Sequence, residues 1–530
     1  MASLAQRSKD ANVTMAEQHD FEDASPDVPK KWRGTEADNA NMKAMGRVQE
    51  LRRNFTFITI LGFGSTLICT WEVVMANIYP VLTNGGTAGF FWGWIIVTIG
   101  YILVYASLSE MASMAPTSGG QYHWVSEFAP PSCQRFLSYI VGWLCFTGWQ
   151  SGLTAISFIA GTIIQGLIAL NNPGYVLVPW HGTLLTIAVC AFAIFFNTVI
   201  ASKLPLVEGS IVFLHISGLF IVIIVLWTLA PRHTAQEAFL EFTNNGGWDS
   251  QGTSLLVGLY PLVVALIGFD SVVHMSEEIK DAASTLPRAI MWSTYLNAFL
   301  GFLMVITLIF TWGDAEEIAK SPTGYPFIQV LYNVTNSRAA ADVLSSILII
   351  TLTASVIACV ATASRQLWAF ARDQGVPFSS FIAYVNPRLN IPVNAVLISL
   401  AATSLLALLN IGSYAALNAI FALDCAALLS SYMISIGCLL LKRLKGEPLP
   451  PRPWSLGSYG LWINIAALCW LAPIFVFTLF PSTTPTDAAG MNWGILLFGA
   501  MILFATAYYF VRGKKVYISP RERLRRDIQM

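Results

Sequence analysis

Asp270 closes the string Ile267-Gly268-Phe269-Asp270, set inside an apolar run long enough to cross a membrane. A carboxylate at membrane depth is costly and is kept where it does work. A second glycine-bearing string, Leu61-Gly62-Phe63-Gly64, interrupts a comparable run in the other half of the chain. Glycine costs a helix interior about 1 kcal/mol relative to alanine, but it is common in membrane helices, so either string alone says little. Two interruptions, one in each half, are the pattern of discontinuous helices that build a solute site near the bilayer midplane. A helix restarting after a break presents unpaired N–H groups and the positive end of its dipole, which suit a carboxylate. The restart in the first run falls at Ser65 and Thr66. Asp270 at the second would accept an ammonium group. The candidate substrate-binding set is therefore Gly62, Phe63, Gly64, Ser65, Thr66, Gly268, Phe269 and Asp270. Two plainer readings compete. Asp270 can cap a helix through its own backbone, and Gly62 and Gly64 can serve close helix packing.

Other polar residues within the apolar runs are candidates for proton coupling. Glu72 lies two helical turns past Gly64, about 12 Å along a helix, toward the outer end of its run. It fits an external gate, a proton site or an interfacial residue. Asp424 sits well inside the tenth run, where a charge costs about 2.5–3.5 kcal/mol on insertion scales. It fits a proton carrier or a protonated acid bonded to a neighbouring helix. His215 reads as a hydrogen-bonded packing residue. Trp71, Trp143 and Trp149 could wall a cationic head group, although most membrane tryptophans pack between helices or sit at interfaces. Glu277 and Glu278 after the sixth run, with Arg365, Arg372 and Asp373 after the eighth, could pair as a gate or lie in solvated loops.

The elements that position these residues follow from composition. The 530 residues are 55% hydrophobic and 11% charged, with mean hydropathy +0.60, whereas soluble domains carry about 25% charged residues. Runs of roughly 20 apolar residues occur near 55–79, 88–111, 135–169, 182–201, 205–230, 254–276, 289–312, 340–370, 392–411, 414–441, 460–480 and 492–511, which gives twelve spans. With the N-terminus placed in the cytoplasm, 27 of the 30 lysines and arginines fall on the cytoplasmic side; only Arg232, Lys320 and Arg338 lie outside. Residues 1–53 and 512–530 read as cytoplasmic tails, the first disordered and the second basic, flanking a transporter domain over 54–511. No cleavable leader precedes the first span. The sequon at Asn333 falls in an outside loop, a candidate glycosylation site, whereas the one at Asn12 is cytoplasmic. The eight cysteines show no metal-ligand or disulfide spacing. No motif implies a metal, a cofactor, a nucleic-acid partner or a catalytic site. The partners implied are the bilayer, a small amine and a proton.

Twelve spans with both ends inside also suit the major facilitator architecture. That class usually carries a long central connection, and the link from Glu277 to Pro287 is short. Breaks in the first and sixth spans instead fit an all-α membrane fold of two inverted five-helix repeats, spans 1–5 and 6–10, plus two further helices. The stretch Ser109-Glu110-Met111 through Gly119-Gly120-Gln121-Tyr122 resembles the loop after the second span of amino acid–polyamine–organocation permeases. So do Gly268-Phe269-Asp270 with His274-Met275-Ser276-Glu277-Glu278, Pro287-Arg288-Ala289-Ile290, and Ala369-Phe370-Ala371-Arg372-Asp373 with Val376-Pro377. The resemblance covers about residues 50–515 and is strongest to the fungal amino acid/choline/GABA branch. It implies a secondary transporter of the plasma membrane moving a small amine-bearing solute. A nutrient sensor on the same fold is the alternative, disfavoured by short tails.

Overall fold

A chain this apolar can enter a bilayer only if its peptide groups are bonded internally, which long helices achieve. The structure, a computed structural model, describes residues 28–523 apart from 315–317, 319, 413 and 489. Eleven described helices are long and apolar enough to cross a membrane. The broken first crossing is α2 (Phe57–Ile68) and α3 (Thr70–Ala76). Then come α4 (Gly86–Met114), α6 (Gln134–Asn171), α7 (Pro179–Thr198) and α8 (Leu204–Leu229), with a short α5 (Gln121–Phe128) between α4 and α6. The run expected as the sixth span is three short pieces: α9 (Gln251–Gly258), α10 (Tyr260–Val264) and α11 (Ser271–His274). The chain continues through α12 (Ala282–Thr311), α13 (Pro326–Thr335), α14 (Arg338–Arg372), α15 (Val393–Gly412) and α16 (Tyr414–Leu444). It finishes with α17 (Gly460–Thr478) and α18 (Gly494–Tyr508).

Burial sorts these helices. Of the most apolar stretch of α8, 28% is buried, against 72% for α6 and 83% for the α16 crossing, so α6 and α16 are central and α8 faces outward. The two interrupted elements lie side by side, with α2 touching α11 and α3 touching α10. The early half of one meets the late half of the other, so the two run in opposite directions.

The tail expected to be disordered over 1–53 is ordered where it is described. Residues 1–27 lie outside the described residues, as do 524–530. Thr35 and Asp38 form a capping box that opens a helix at Glu36–Ala44 (α1). Asp38 also accepts from the backbone N–H groups of Asp281 and Ala282, both at 3.0 Å, and so caps α12 from a distance. Arg53 is buried, pairs with Asp38 at 3.4 Å and donates to the carbonyls of Ser276 and Ile279. Polar composition suggested a solvated segment, but these polar groups satisfy helix ends that would otherwise be orphaned.

The same face carries a clamp. Nη2 of Arg47 reaches both oxygens of Asp373 at 2.7 Å. The Tyr122 hydroxyl donates to Asp373 at 3.0 Å, and Arg523 from the C-terminal tail lies 3.3 Å away. Arg372 grips Glu277 at 2.7 and 3.0 Å, and Arg365 meets Glu278 at 2.8 Å. The ion pairs expected between the loops after the sixth and eighth runs are present. Burial works against ionisation of Asp373, yet Arg47, Arg523 and Arg372 together hold its carboxyl below the usual carboxylate range. Burial likewise opposes ionisation of Glu277, and Arg372, Arg47 and Arg53 outweigh it.

Both carboxyls ionise more readily folded than unfolded. Their stabilisation is therefore complete above the unfolded-state range, near about pH 4, and disappears as pH falls through the lower folded-state values. Thermal melts of the purified protein should hold steady from neutral pH to about 4 and drop below it, with a shallower acid limb in Asp373→Asn. A second test concerns Glu110, fully buried at the end of α4. It accepts from Arg452 at 2.9 Å, from the Leu456 N–H at 3.1 Å and from Arg443, tying α4 to the segment after α16. Glu110→Gln leaves two guanidinium groups without their anion and should cost about 3–5 kcal/mol, read as a lowered melting temperature. Ser455→Ala, which removes one neutral donor to Glu110, should cost far less.

Candidate functional site

The second interruption is where the sequence places it. Gly268 has φ +103°, open to glycine and strained for other residues. The helical bonding that lapses there is replaced by one side chain. The Tyr105 hydroxyl on α4 accepts from the N–H groups of Gly268 (2.9 Å) and Phe269 (3.4 Å) and donates to the Leu266 carbonyl at 2.8 Å. Asp270 then stands at the N-cap position of α11, but its side chain makes no capping bond, so the capping alternative fails. Its carboxylate is fully buried. Gln121 on α5 donates to Oδ2 at 2.6 Å, and the Tyr432 hydroxyl on α16 donates to Oδ1. One turn on, Nε2 of His274 lies 3.6 Å from Oδ2. The rings of Tyr105, Phe269 and Tyr432 cluster at the break, with centroids 5.2 Å apart for Tyr105–Phe269 and 6.2 Å for Tyr105–Tyr432.

The first interruption falls five residues later than expected. Gly62, Phe63, Gly64, Ser65 and Thr66 lie within α2, and the chain breaks at Cys69, which is left-handed (φ 46°, ψ 47°). The glycines serve contact. A methyl at Gly64 would come within 2.8 Å of Val272 and 2.9 Å of Ser293, and one at Gly62 within 3.4 Å of Val212. The packing alternative therefore holds for Gly64, whereas the distance at Gly62 is ordinary contact. Ser65 and Thr66 are not a helix start; the Thr66 hydroxyl bonds to the Gly62 carbonyl at 3.0 Å and to Glu208. The carbonyls freed at the break are met by Ser355 on α14, which donates to Leu67, and by the Cys69 thiol, which bridges Thr66 and Thr351. Helix restart comes at Thr70, in a helix of seven residues.

That shift relocates Glu72. It lies in the first turn of α3, in the later part of the Phe57–Ala76 crossing, and is fully buried. His215 on α8 meets it at 2.8 Å through Nδ1, while Glu72 Oε2 and His215 Nε2 have no hydrogen-bond partner. Ligand atoms of Cys69, Glu72 and His215 lie within 4.8 Å of one another, the grouping among the described residues that could hold a metal ion. Asp424 is buried against Gly152 of α6, with Oδ1 unpartnered. It lies two turns from Tyr432 along α16, about 12 Å.

Of the three tryptophans, Trp149 alone is at the break. Its ring packs on Gly268 and meets His274 edge-on at 5.7 Å. Trp71 donates to the His215 carbonyl at 2.9 Å. Trp143 packs among Phe146, Phe370 and Phe504. A cavity of about 610 Å³, lined by Asn77, Ile159, Tyr260, Val264 and Phe421, lies on the side of the breaks away from the clamp. A larger recess around Arg232 and His233 is remote from the breaks. Asn333 is exposed on α13 and accepts from Gln329 at 2.7 Å. The residues that sequence reasoning gave no role are Tyr105, Gln121, His274 and Tyr432. Gln121 and His274 sat inside the resembling blocks; the two tyrosines carried no signal.

Comparison with known proteins fits this geometry. Residues 55–503 match the amino acid permease family. The chain is 31% identical to an uncharacterized amino-acid permease of Schizosaccharomyces pombe, over 93% of this chain and 90% of that one. It is 29% identical to a choline transporter of Saccharomyces cerevisiae, over 88% and 83%. It is 27% identical to amino-acid permease 2 of Neurospora crassa, over 92% of this chain and 90% of that one. A match across most of the chain, on an all-helical multi-pass frame, places it in the amino acid permease family of the amino acid–polyamine–organocation superfamily, a membrane protein of amino acid and organocation transport.

Proposed function

We propose that this protein imports a small amine-bearing solute, such as an amino acid, GABA or choline, by proton-coupled alternating access, with Asp270 receiving the ammonium group. One observation carries the reading. Asp270 is fully buried, and its hydrogen bonds come from the neutral donors Gln121 and Tyr432. Among the described residues, no lysine or arginine pairs with it. A buried carboxylate without a fixed cation is a place for a mobile one. The rings of Tyr105, Phe269 and Tyr432 would suit a methylated head group that offers no N–H, in line with the choline transporter among the relatives. Gly62, Phe63, Gly64, Ser65 and Thr66 support the site through packing. The architecture proposed is twelve spans with a five-plus-five inverted repeat, the broken elements facing each other. The clamp side is assigned to the cytoplasm because it carries nearly all the basic residues. The cavity on the opposite side is then the outer approach, and Asn333 is available there for glycosylation. The plasma membrane is the proposed location. Asp424 is the proposed proton carrier, with Glu72 and His215 as a second buried acid–base pair.

Uptake assays in a permease-deficient host, over neutral amino acids, GABA, choline and polyamines at two pH values, test the reading. Asp270→Asn should lower uptake at least about 30-fold, equivalent to roughly 2 kcal/mol, with surface abundance unchanged; normal uptake would remove Asp270 from the substrate site. Asp424→Asn should displace the pH profile of uptake. A profile identical to wild type would make Asp424 structural.

A further inference from the structure

The ring of His274 is held at one nitrogen and open at the other. Nδ1 lies 2.9 Å from the Ser118 carbonyl. A carbonyl only accepts, so Nδ1 carries a hydrogen there. Gly120, at φ +55°, lets the loop come this close, since a methyl on it would sit 3.1 Å from the ring. In a neutral imidazole this fixes Nε2 as a lone pair. Nε2 is buried, has no hydrogen-bond partner, and lies 3.6 Å from Asp270 Oδ2. Oδ2 is itself an acceptor, already receiving Gln121. Two desolvated acceptors would then face each other beside an uncompensated charge, an arrangement that one proton between them relieves.

From this geometry we infer that Asp270 and His274 hold one exchangeable proton, and that a cationic amine binding at Asp270 displaces it. This rests on the assignment of Asp270 as the amine site. The exchange balances. Before binding, an imidazolium and a carboxylate sum to zero charge. The amine arrives with a positive charge and takes the carboxylate; Nε2 gives its proton to solvent and keeps the electron pair, and the site is neutral again. An imidazolium next to a bound ammonium would be a like-charge pair in a water-excluded site, so the two cations exclude each other.

The other titratable groups around the pair are Tyr101 and Tyr105 on α4, Cys145 on α6, and Tyr432 with Asp424 on α16. Charged groups on the remaining neighbours have partners elsewhere: Glu72 of α3 with His215, Arg288 of α12 over the Phe57 ring, and Arg365 and Arg372 of α14 with Glu278 and Glu277. His274 is therefore the base placed to hold a proton against Asp270.

The test uses the full-length protein in nanodiscs, with radiolabelled choline and GABA as probes. Binding is measured between pH 5 and 8, and proton release is followed with an indicator dye in weakly buffered solution. Wild type should release up to one proton per probe bound, and apparent affinity should weaken up to tenfold per unit of falling pH. His274→Gln, whose amide can still donate to Ser118, should bind at pH 8 with no proton release and a flat pH dependence. Probe binding to wild type without proton release would overturn the inference and needs no variant. An unchanged pH slope in His274→Gln would overturn it as well. Failure of the underlying site assignment looks different: Asp270→Asn would then bind the probes as tightly as wild type.

Discussion

The Tyr105 hydroxyl is the contact on which the rest of the site depends. Between Leu266 and Asp270 the backbone leaves helical bonding inside an apolar bundle, where no water replaces the lost bonds and each orphaned group would cost several kcal/mol. One phenol, accepting two N–H groups and donating to one carbonyl, fills the gap. At the start of α11 the Ser271 and Val273 N–H groups meet the backbone carbonyls of Gly268 and Asp270, at 2.9 and 2.8 Å, and the Asp270 side chain makes no capping bond. At the other break a hydroxyl and a thiol, Ser355 and Cys69, do the same for carbonyls. At both breaks a neighbouring helix supplies a hydroxyl, and at the first the interrupted element adds its own Cys69 thiol.

Closure at one face is built from ionic groups, and that choice has a mechanical consequence. Buried ion pairs stand near balance between Coulomb attraction and desolvation, so exposing them to water returns most of the hydration they gave up. A seal made of Arg47, Asp373, Arg372, Glu277, Arg365 and Glu278 can therefore open at modest cost, whereas an equal area of packed leucine would resist. Participation of both tails is the distinctive part. Arg47 precedes the first span and Arg523 follows the last, yet both meet Asp373. Under the proposed alternating access, opening this face would require both tails to move with it.

Much of this was legible in the sequence, for reasons of scale. Apolar runs of about 20 residues mark the crossings without any knowledge of contacts. Gly268 and Asp270 were legible because a glycine-bearing interruption recurs in each half and the second carries a carboxylate inside an apolar run. Gly64 misled because a glycine needed for close approach to Val272 and Ser293 is indistinguishable, in sequence, from one that breaks a helix. The actual break, at Cys69, sits in a run with no glycine or proline at that point, and it is stabilised by partners on α14 nearly 300 positions away. The tail over 28–53 was misread for a related reason. Its charges look solvated until the helix ends they satisfy are brought beside them.

Sorting the buried acids by what faces them separates structure from chemistry. Nine Asp and Glu side chains are buried among the described residues. Five of them, Asp38, Glu110, Glu277, Glu278 and Asp373, are paired with arginine and lie on the clamp side. Arginine does not give up its proton, so these five hold fixed charge and can only make or break contacts. The other four, Glu72, Glu208, Asp270 and Asp424, lie within the bundle and have no arginine. They face a histidine, a hydroxyl, an amide or a small residue. Each such carboxylate must stay neutral by binding a proton or by receiving a cation from elsewhere. Only Asp270 combines that requirement with an open backbone, an aromatic surround and a base one turn away. Under the proposed function, amine recognition and proton exchange would meet at this residue, and the five arginine-bound acids would lie at the face that opens toward it.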